Sequence, residues 1–411
     1  MTLKRFAPYL FVATLFTMLA IPLVVTQRRL SWASVDELGC HYVTIRQFQG
    51  QWPHLDLRDY PSPETPLYHV TLAAISQLND NIITLRLASF AMSLAALLVI
   101  EAYLLRRAQS TMAVFFTMLV AVSPYFLGAA VRLLTDNLGL GAAVAALFAL
   151  DDAFDLSVCR SATGALFGTV AVLTRQVYLW TAPVQFVATF THRQVSHSQR
   201  LVNAALSTVP ALALASFVLL WHGFTPISWI GWSNNAALSV NVNVPIFILS
   251  LLGVLGTVFI FTMCRVWRSG ECRLIYAILL ATIGMLILVV HPFTIDEGGW
   301  LLAVGRSMPK LLGTRLPFWI LLPLGLVYLY ILLARQLMSG SYLVIIAWVL
   351  WMLMNGVSGR IFQRYYEPML LVFVAYVLTP WDFKSRKEWL MPCVYLVGCL
   401  GQDVMIFYWS H

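Results

Sequence analysis

Residues 1–38 read MTLKRFAPYLFVATLFTMLAIPLVVTQRRLSWASVDEL, with an apolar run from Pro8 to Val25 between a basic start and an acidic pair. As a helix, such a run is long enough to cross roughly 30 Å of hydrocarbon. Lys4 and Arg5 before it favour a cytoplasmic N-terminus. Thr26-Gln-Arg-Arg follows the run in place of a small-residue cleavage site. The stretch therefore predicts a retained first span rather than a cleaved signal peptide.

The composition of the 411-residue chain excludes a soluble protein, because 60% of its residues are hydrophobic and only 11% are charged. Soluble domains carry about 25% charged residues. The net charge of +8 is explained by basic residues that hold connections on the cytoplasmic side of a membrane. We therefore expect an integral membrane protein that contacts membrane lipids and does not bind nucleic acid.

Long apolar runs recur along the chain and predict a single domain, residues 1–411, of about 13 membrane-spanning helices. The predicted spans are 8–26, 84–105, 111–131, 137–150, 161–174, 177–191, 201–221, 244–263, 274–291, 316–334, 342–358, 366–380 and 390–408. The connections that this order places in the cytoplasm are short and mostly basic. The expected fold is an all-α polytopic membrane helical bundle with a cytoplasmic N-terminus and an extracytoplasmic C-terminus.

The first extracytoplasmic loop, residues 27–83, carries Asp36-Glu37 just beyond the first span. A partly desolvated carboxylate at the membrane surface could act as a general base toward a sugar hydroxyl, although a solvated loop acid is the simpler alternative. Several prolines farther along this loop predict extended or turned backbone, and so a shaped surface. Polar side chains in this part of the loop could line a sugar site or serve structure alone: His54, Asp56, Arg58, Asp59 and Tyr68.

Three arginines, Arg132, Arg175 and Arg364, lie beside or inside apolar runs near the outer face. A charge at such a position is costly and is by default a candidate for function. The guanidinium group stays charged and can bind two phosphate oxygens at once, so these arginines are candidate phosphate ligands. The alternatives are contact with lipid head groups, or a structural ion pair such as Arg132 with Asp136.

A second acidic pair, Asp296-Glu297, follows His291-Pro-Phe in the loop after the ninth predicted span. These carboxylates could help to bind an acceptor, or they could cap the loop. The eight histidines show no spacing typical of metal ligands, so we predict neither a metal site nor a cofactor.

The order of these motifs resembles the GT-C superfamily of membrane glycosyltransferases. Five short stretches carry the resemblance: Asp36-Glu37, Leu85-Arg86-Leu-Ala-Ser, Thr135-Asp136 followed by Thr174-Arg175-Gln176, His291-Pro-Phe293, and Arg364-Tyr-Tyr-Glu-Pro368. Within the superfamily the chain is most similar to the α-1,2-glucosyltransferase of dolichol-linked oligosaccharide assembly. It departs from that enzyme at Val177, where the enzyme has Thr, and it lacks the Asn-Arg-His-Tyr run after His291-Pro292.

The resemblance implies a GT-C-like fold and an inverting transfer of a hexosyl or pentosyl group from a polyprenyl-phosphate donor to a lipid-linked or other saccharide acceptor. Asp36 would be the catalytic base with Glu37 as its neighbour, and Arg175, Arg364 and Arg132 would bind the donor phosphate. The remaining candidate substrate-binding residues are Asp136, Gln176, His291, Asp296, Glu297 and Tyr365, in addition to His54, Asp56, Arg58 and Tyr68.

The active site would then face the extracytoplasmic side, since the predicted inner connections are too short to hold a nucleotide sugar. Short loops and modest length favour a bacterial inner membrane, with the endoplasmic reticulum as the alternative. A transporter or flippase for a lipid-linked or amphipathic solute would instead need paired ions within the spans and symmetric broken helices. Glu101 is the best candidate for such an ion, although it lies close to Arg106 and the cytoplasmic edge. A non-catalytic scaffold subunit would tolerate replacement of Asp36.

Overall fold

The computed structural model is almost entirely helical. It describes residues 6–26, 35–107, 109–151, 156–192, 195–229, 240–294, 298–339, 342–357, 361–381 and 383–405. One two-stranded antiparallel hairpin, β1 (Lys310–Leu311) with β2 (Thr314–Arg315), is the sheet structure of the described residues. The predicted fold class, an all-α membrane helical bundle, is confirmed.

The helices follow one another with short connections. In chain order they are α1 (Ala7–Thr26), α2 (Tyr42–Gln51), α3 (Leu67–Ser76), α4 (Ile82–Leu105), α5 (Ser110–Ala121), α6 (Pro124–Ala130), α7 (Asp136–Leu150), α8 (Val158–Thr174), α9 (Thr181–Thr191), α10 (His197–Trp221), α11 (Asn243–Val258), α12 (Ile260–Val266), α13 (Leu274–Val290), α14 (Trp300–Arg306), α15 (Leu316–Ser339), α16 (Tyr342–Asn355), α17 (Glu367–Leu378) and α18 (Arg386–Val404).

Four helices, α1, α4, α10 and α15, are long and apolar enough to cross a bilayer. Local sequence signals set where two of them begin. The Asn81 side chain accepts a hydrogen bond from the Ile83 amide at the start of α4, and Ser196 and Gln199 form a capping box at the start of α10. Helices suit this chain because every backbone group in lipid must be bonded within the protein.

Two predicted spans are each divided in two by a sharp bend. The predicted span 111–131 consists of α5 and α6, which meet at 72°, and the predicted span 244–263 contains α11 and a second helix at 89° to it. Pro124 follows the first bend directly, and its ring and missing amide hydrogen prevent α5 from continuing.

The number of spans that the structure supports by length and composition is smaller than the predicted 13. Among the residues that the structure describes, four single helices qualify, or six when each bent pair is counted as one span, and five apolar helices are shorter. One predicted span, 177–191, begins as a short 3-10 turn, Gln176–Trp180, before α9. The full count of about 13 crossings stays a prediction from hydropathy.

The described part of the predicted first extracytoplasmic loop (residues 27–83), called the outer loop below, is folded. Helices α2 and α3 pack together around a small apolar core that contains Phe48 and Tyr60. The Trp221 side chain at the end of α10 belongs to the same core and donates its indole N–H to the Leu57 carbonyl at 2.8 Å. The Thr65 hydroxyl donates to the Val172 carbonyl in α8 at 2.6 Å. The loop therefore lies against the helical bundle as a shaped surface.

Two glycines allow α11 and α15 to approach closely. A Cβ atom on Gly253 of α11 would overlap the carbonyl oxygen of Leu321, and one on Gly325 of α15 would overlap the carbonyl oxygen of Leu249. Small residues that let helix backbones touch are typical of packing within membranes, where apolar burial drives helix association only weakly.

We expect Gly325→Ala to lower the thermal midpoint of the detergent-solubilised protein. Overpacking of this kind costs about 1–3 kcal/mol, which outweighs the gain of up to about 1 kcal/mol from replacing glycine by alanine in a helix. Gly398→Ala in α18 is the matched control, because a Cβ there meets nothing within 4 Å. Equal midpoints for the two variants would contradict the close contact.

Candidate active site

Asp36 and Glu37 are adjacent in sequence but have different environments. Glu37–His41 forms a π-helical turn that leads directly into α2. The Asp36 side chain keeps 35% of its exposure and lies 2.6 Å from Arg364, between Oδ2 and Nη2. The Glu37 side chain is fully buried. π-Turns often occur at functional sites, and this one separates an accessible carboxylate from a buried one.

The Glu37 carboxylate is held by two arginines and a backbone amide. Arg86 of α4 donates from Nε and Nη2 to its two oxygens at 2.7 Å each. Arg132 lies 3.5 Å away, and the Leu133 amide donates to it at 3.1 Å. The contacts join the start of the π-turn to α4 and to the connection between α6 and α7. In this arrangement Arg132 pairs with Glu37, not with Asp136.

A second ion pair lies across the site from Asp36. Arg175 follows α8 in an extended conformation and contacts the Asp136 carboxylate at the start of α7. Its guanidinium carbon also lies 4.2 Å from the centre of the Tyr365 ring. Arg364 approaches the same ring, with its guanidinium carbon at 4.8 Å, and donates to the Tyr365 hydroxyl at 2.9 Å. Two guanidinium groups thus converge on one phenol.

Both arginines keep their charge. Burial by itself would lower the pKa of the Arg364 guanidinium, but Tyr365, Asp136 and Asp36 outweigh burial and raise this pKa above its usual value. Burial likewise opposes the charge of Arg175, and Asp136 and Tyr365 raise the pKa of Arg175 in the same way. The site therefore presents two permanent positive charges that are already paired with carboxylates.

These groups line a small cleft. Its polar lining includes Asp136, Arg175, Arg364 and Tyr365, together with Asn137, Tyr178 and Asn355; the apolar lining comprises Leu140, Val177, Trp351, Pro368 and Met369. Most of the apolar lining belongs to α7, α16 and α17. The cleft therefore combines charged side chains from helix ends and connections with apolar side chains that these helices provide.

The other residues proposed from the sequence are more scattered. His54 is exposed, and so are Asp56 and Arg58, which pair with each other at 3.2 Å. Tyr68 is buried and donates to the Ser89 hydroxyl at 2.8 Å.

Two further proposed residues lie outside the lining of the cleft. Gln176 donates to the carbonyls of Pro63 and Phe224 and so connects the loop before α3 to the segment after α10. His291 is half-buried directly after α13. The acidic pair at positions 296 and 297 lies outside the described residues.

Several residues that were not predicted line the cleft or support it. Asn137 donates to the Phe126 carbonyl at 2.8 Å. It directly follows the Thr135-Asp136 motif, and this position could have identified it from the sequence. Asn355 is the last residue of the apolar helix α16. A polar residue at the end of an apolar run is a signal that could have identified it from the sequence. Arg86 was part of a recognised motif, but its ion pair with Glu37 was not predicted.

A buried pair of histidines follows the site in the outer loop. His41 Nδ1 lies 2.9 Å from His69 Nε2, and the two rings stack at 5.1 Å. Burial and the neighbouring His41 lower the pKa of His69 to about 3, and burial also lowers the pKa of His41. Both rings are therefore neutral near pH 7 and add no positive charge to the site. Nowhere in the described ranges do three His, Cys, Asp or Glu side chains form a group suited to a metal ion.

Comparison with solved structures finds distant likenesses to membrane enzymes. ArnT from Cupriavidus metallidurans bound to undecaprenyl phosphate matches with a TM-score of 0.42 and 14% identity, over 89% of this chain and 76% of ArnT. Its apo structure gives a TM-score of 0.42 and 15% identity over the same shares of both chains.

The archaeal oligosaccharyltransferase AglB from Archaeoglobus fulgidus, in complex with an inhibitory peptide and a dolichol-phosphate, matches with a TM-score of 0.48 and 13% identity. The match covers 99% of this chain but only 56% of AglB. No family model and no curated protein matches the sequence. We therefore base the proposed function on the residues of this chain.

Glu37 is expected to contribute far more to stability than Asp36. Glu37→Gln leaves Arg86 and Arg132 buried without their carboxylate, and loss of one partner of a buried ion pair costs about 3–5 kcal/mol. Asp36→Asn should cost less, because Asp36 keeps 35% of its exposure and Arg364 retains its contact with the Tyr365 hydroxyl. Denaturation of both variants in detergent tests this difference. Equal losses of stability would mean that Glu37 does not anchor the loop.

Proposed function

We propose that this protein is a membrane glycosyltransferase that moves a sugar from a polyprenyl-phosphate donor to an acceptor hydroxyl on the extracytoplasmic side. The proposal is carried by one arrangement: Arg175 and Arg364 converge on Tyr365 above a partly apolar cleft, and Asp36 lies 2.6 Å from Arg364. A candidate base and a candidate phosphate site are thereby adjacent.

The two arginines suit a phosphate group on the donor. A planar guanidinium binds two phosphate oxygens at once and keeps its charge at any physiological pH. Arg364 is bound by Asp36 in this structure, so an arriving phosphate would compete with Asp36 for it. The exchange would give Arg364 a phosphodiester partner of the same single charge, which becomes more negative as the bond to the sugar breaks, and it would release the Asp36 carboxylate. Arg132 is a weaker candidate for this role, because it contacts Glu37 and is 3% exposed.

The cleft suits a lipid donor. Trp351, Pro368 and Met369 form part of its apolar lining and belong to α16 and α17, which are apolar helices of the bundle. A polyprenyl chain could lie along such a surface while its phosphate stays at the charged side chains. Asn137 and Asn355 also line the cleft; their amide nitrogens already donate to the Phe126 and Trp351 carbonyls, so a sugar hydroxyl would have to donate to their side-chain oxygens.

The reaction proposed is a single displacement. Asp36 accepts the proton of the acceptor hydroxyl, whose oxygen forms a bond to the anomeric carbon of the donor sugar. The bond between that carbon and the phosphate oxygen breaks, and its electron pair leaves with the polyprenyl phosphate. The configuration at the anomeric carbon is inverted. Arg175 and Arg364 would stabilise the charge that develops on the leaving phosphate.

The finer features of the function rest on the sequence resemblance. They are a hexosyl or pentosyl donor, a lipid-linked or other saccharide acceptor, and a relation to the α-1,2-glucosyltransferase of dolichol-linked oligosaccharide assembly. A bacterial inner membrane is the favoured location for the same reason. His54, Asp56, Arg58, Tyr68, Gln176 and His291 remain proposed substrate contacts that an acceptor of sufficient size could reach.

A transporter or flippase for a lipid-linked solute is the second candidate, because broken helices are typical of transporters. Two bent helix pairs are present, with bends of 72° and 89°. The charged groups of the cleft do not lie at either bend, since they come from the start of α7, the α8–α9 connection and the segment before α17. An assay of sugar transfer separates the two functions.

We expect purified protein in nanodiscs to transfer radiolabelled sugar from at least one polyprenyl-phosphate sugar to a lipid-linked acceptor. Asp36→Asn should lower the turnover by about 10²–10⁴-fold, the usual contribution of a positioned base. Asp80→Asn is the matched control, since Asp80 is an exposed acid of the same loop paired with Arg46. Full activity of a folded Asp36→Asn variant would remove the proposed base, and transport without transfer would favour the second candidate.

A further inference from the structure

Glu367 is a completely buried acid three residues after Arg364, at the start of α17. Each of its two carboxylate oxygens has two hydrogen-bond donors. Oε1 accepts from the Ser123 hydroxyl at 2.9 Å and from the Tyr395 hydroxyl at 3.4 Å. The carboxylate thus contacts α18 and the residue at the bend between α5 and α6.

The second oxygen binds the segments on either side of the site. Oε2 accepts from the indole N–H of Trp300 at 3.0 Å and from the Gln363 amide at 2.6 Å. Trp300 is the first residue of α14, and Gln363 directly precedes Arg364. One buried carboxylate therefore joins the short turn Gln363–Tyr365 to elements that are far apart in the chain.

Gln363 extends this network on its other side. Its backbone amide donates to the Gly298 carbonyl at 3.0 Å, and its side-chain oxygen accepts from the Leu301 amide at 3.0 Å. Gly299 lies between these two contacts with a φ of 146°, and a Cβ atom there would come within 2.6 Å of Gln363. The turn that presents Arg364 is therefore fixed by hydrogen bonds and by close packing.

We infer that Glu367 is a positioning residue that fixes the Gln363–Tyr365 turn, so that Arg364 and Tyr365 face Asp36 and Arg175 and can receive the donor phosphate. This inference rests on the proposed function. Glu367 does not line the cleft, so its effect on a ligand must pass through the turn. Without the carboxylate, the donors of Ser123, Trp300 and Gln363 lose their shared acceptor, and the turn loses its defined position.

Hydrogen-bond chemistry predicts which replacement preserves the turn. In Glu367→Gln, the amide oxygen can accept from Trp300 and Gln363. The amide nitrogen can donate to the hydroxyl oxygens of Ser123 and Tyr395, because a hydroxyl both donates and accepts. In Glu367→Ala all four partners lose their acceptor. The glutamine variant should therefore preserve the site, and the alanine variant should not.

The test measures binding of tritiated undecaprenyl phosphate to full-length protein in detergent. We expect Glu367→Ala to weaken binding by about tenfold or more, as for the loss of a charge-assisted contact, and Glu367→Gln to bind within about threefold of wild type. Arg364→Ala should weaken binding as well. Adding Glu367→Ala to Arg364→Ala should have no further effect beyond about twofold, because coupled residues are non-additive.

Two controls separate positioning from general destabilisation. Gly325→Ala overpacks the contact between α11 and α15, away from the cleft, and should lower the thermal midpoint without weakening binding. Trp300→Phe removes one donor to Glu367 and keeps an aromatic ring. Should Glu367→Ala fail to fold, Trp300→Phe takes its place in the same cycle with Arg364→Ala.

Each outcome decides a different point. Normal binding by Glu367→Ala, effects that multiply with those of Arg364→Ala, or equal weakening by Gly325→Ala would each overturn the positioning role and leave the proposed function standing. Wild-type protein that does not bind the probe would overturn the phosphate site itself, and the inference with it. The role would be established if Glu367→Ala weakens binding in the wild-type background but not in the Arg364→Ala background, and if Glu367→Gln binds normally.

Discussion

The buried contact of Glu37 with Arg86 and Arg132 is the interaction on which the arrangement of the site depends. It fixes the π-turn at the start of the outer loop to α4 and to the connection between α6 and α7. Asp36 precedes Glu37 by one residue, so the same contact sets where Asp36 lies. A fully desolvated ion pair of this kind is costly to form and more costly to break. It therefore gives the outer loop one defined position on the bundle.

The remainder of the site is assembled from helix ends. Arg175 follows α8, Asp136 begins α7, and Arg364 and Tyr365 immediately precede α17. Helix ends have backbone groups without partners within the helix and lie at the edge of the apolar layer. Charged groups can be placed there without crossing the hydrocarbon, while the apolar walls of the cleft continue along the helices. One surface can thus hold a charged head group and an apolar chain together.

The sequence predicted some helices correctly but did not predict where helices bend. Apolar length alone located the helices that begin near positions 8, 84, 201 and 316, because lipid permits few alternatives to a helix. The bends at Pro124 and Phe259 were not predicted, since hydropathy averages over a window and does not register a change of direction. Of the candidate site residues, Asp36, Asp136, Arg175, Arg364 and Tyr365 are brought together, whereas His54, Asp56 and Arg58 are exposed on the loop.

That this is a helical membrane protein, and which rare charged residues were candidates for chemistry, could be read from the sequence alone, because both follow from composition and from the cost of charge near lipid. The pairing of those charges, in contrast, depends on how the helices pack. Asp36 and Glu37 are neighbours with the same charge, yet one reaches Arg364 and the other Arg86. Their partners come from distant parts of the chain, and burial depends on which side of the turn meets the bundle. No local pattern contains that information, since it arises only when separate helices pack.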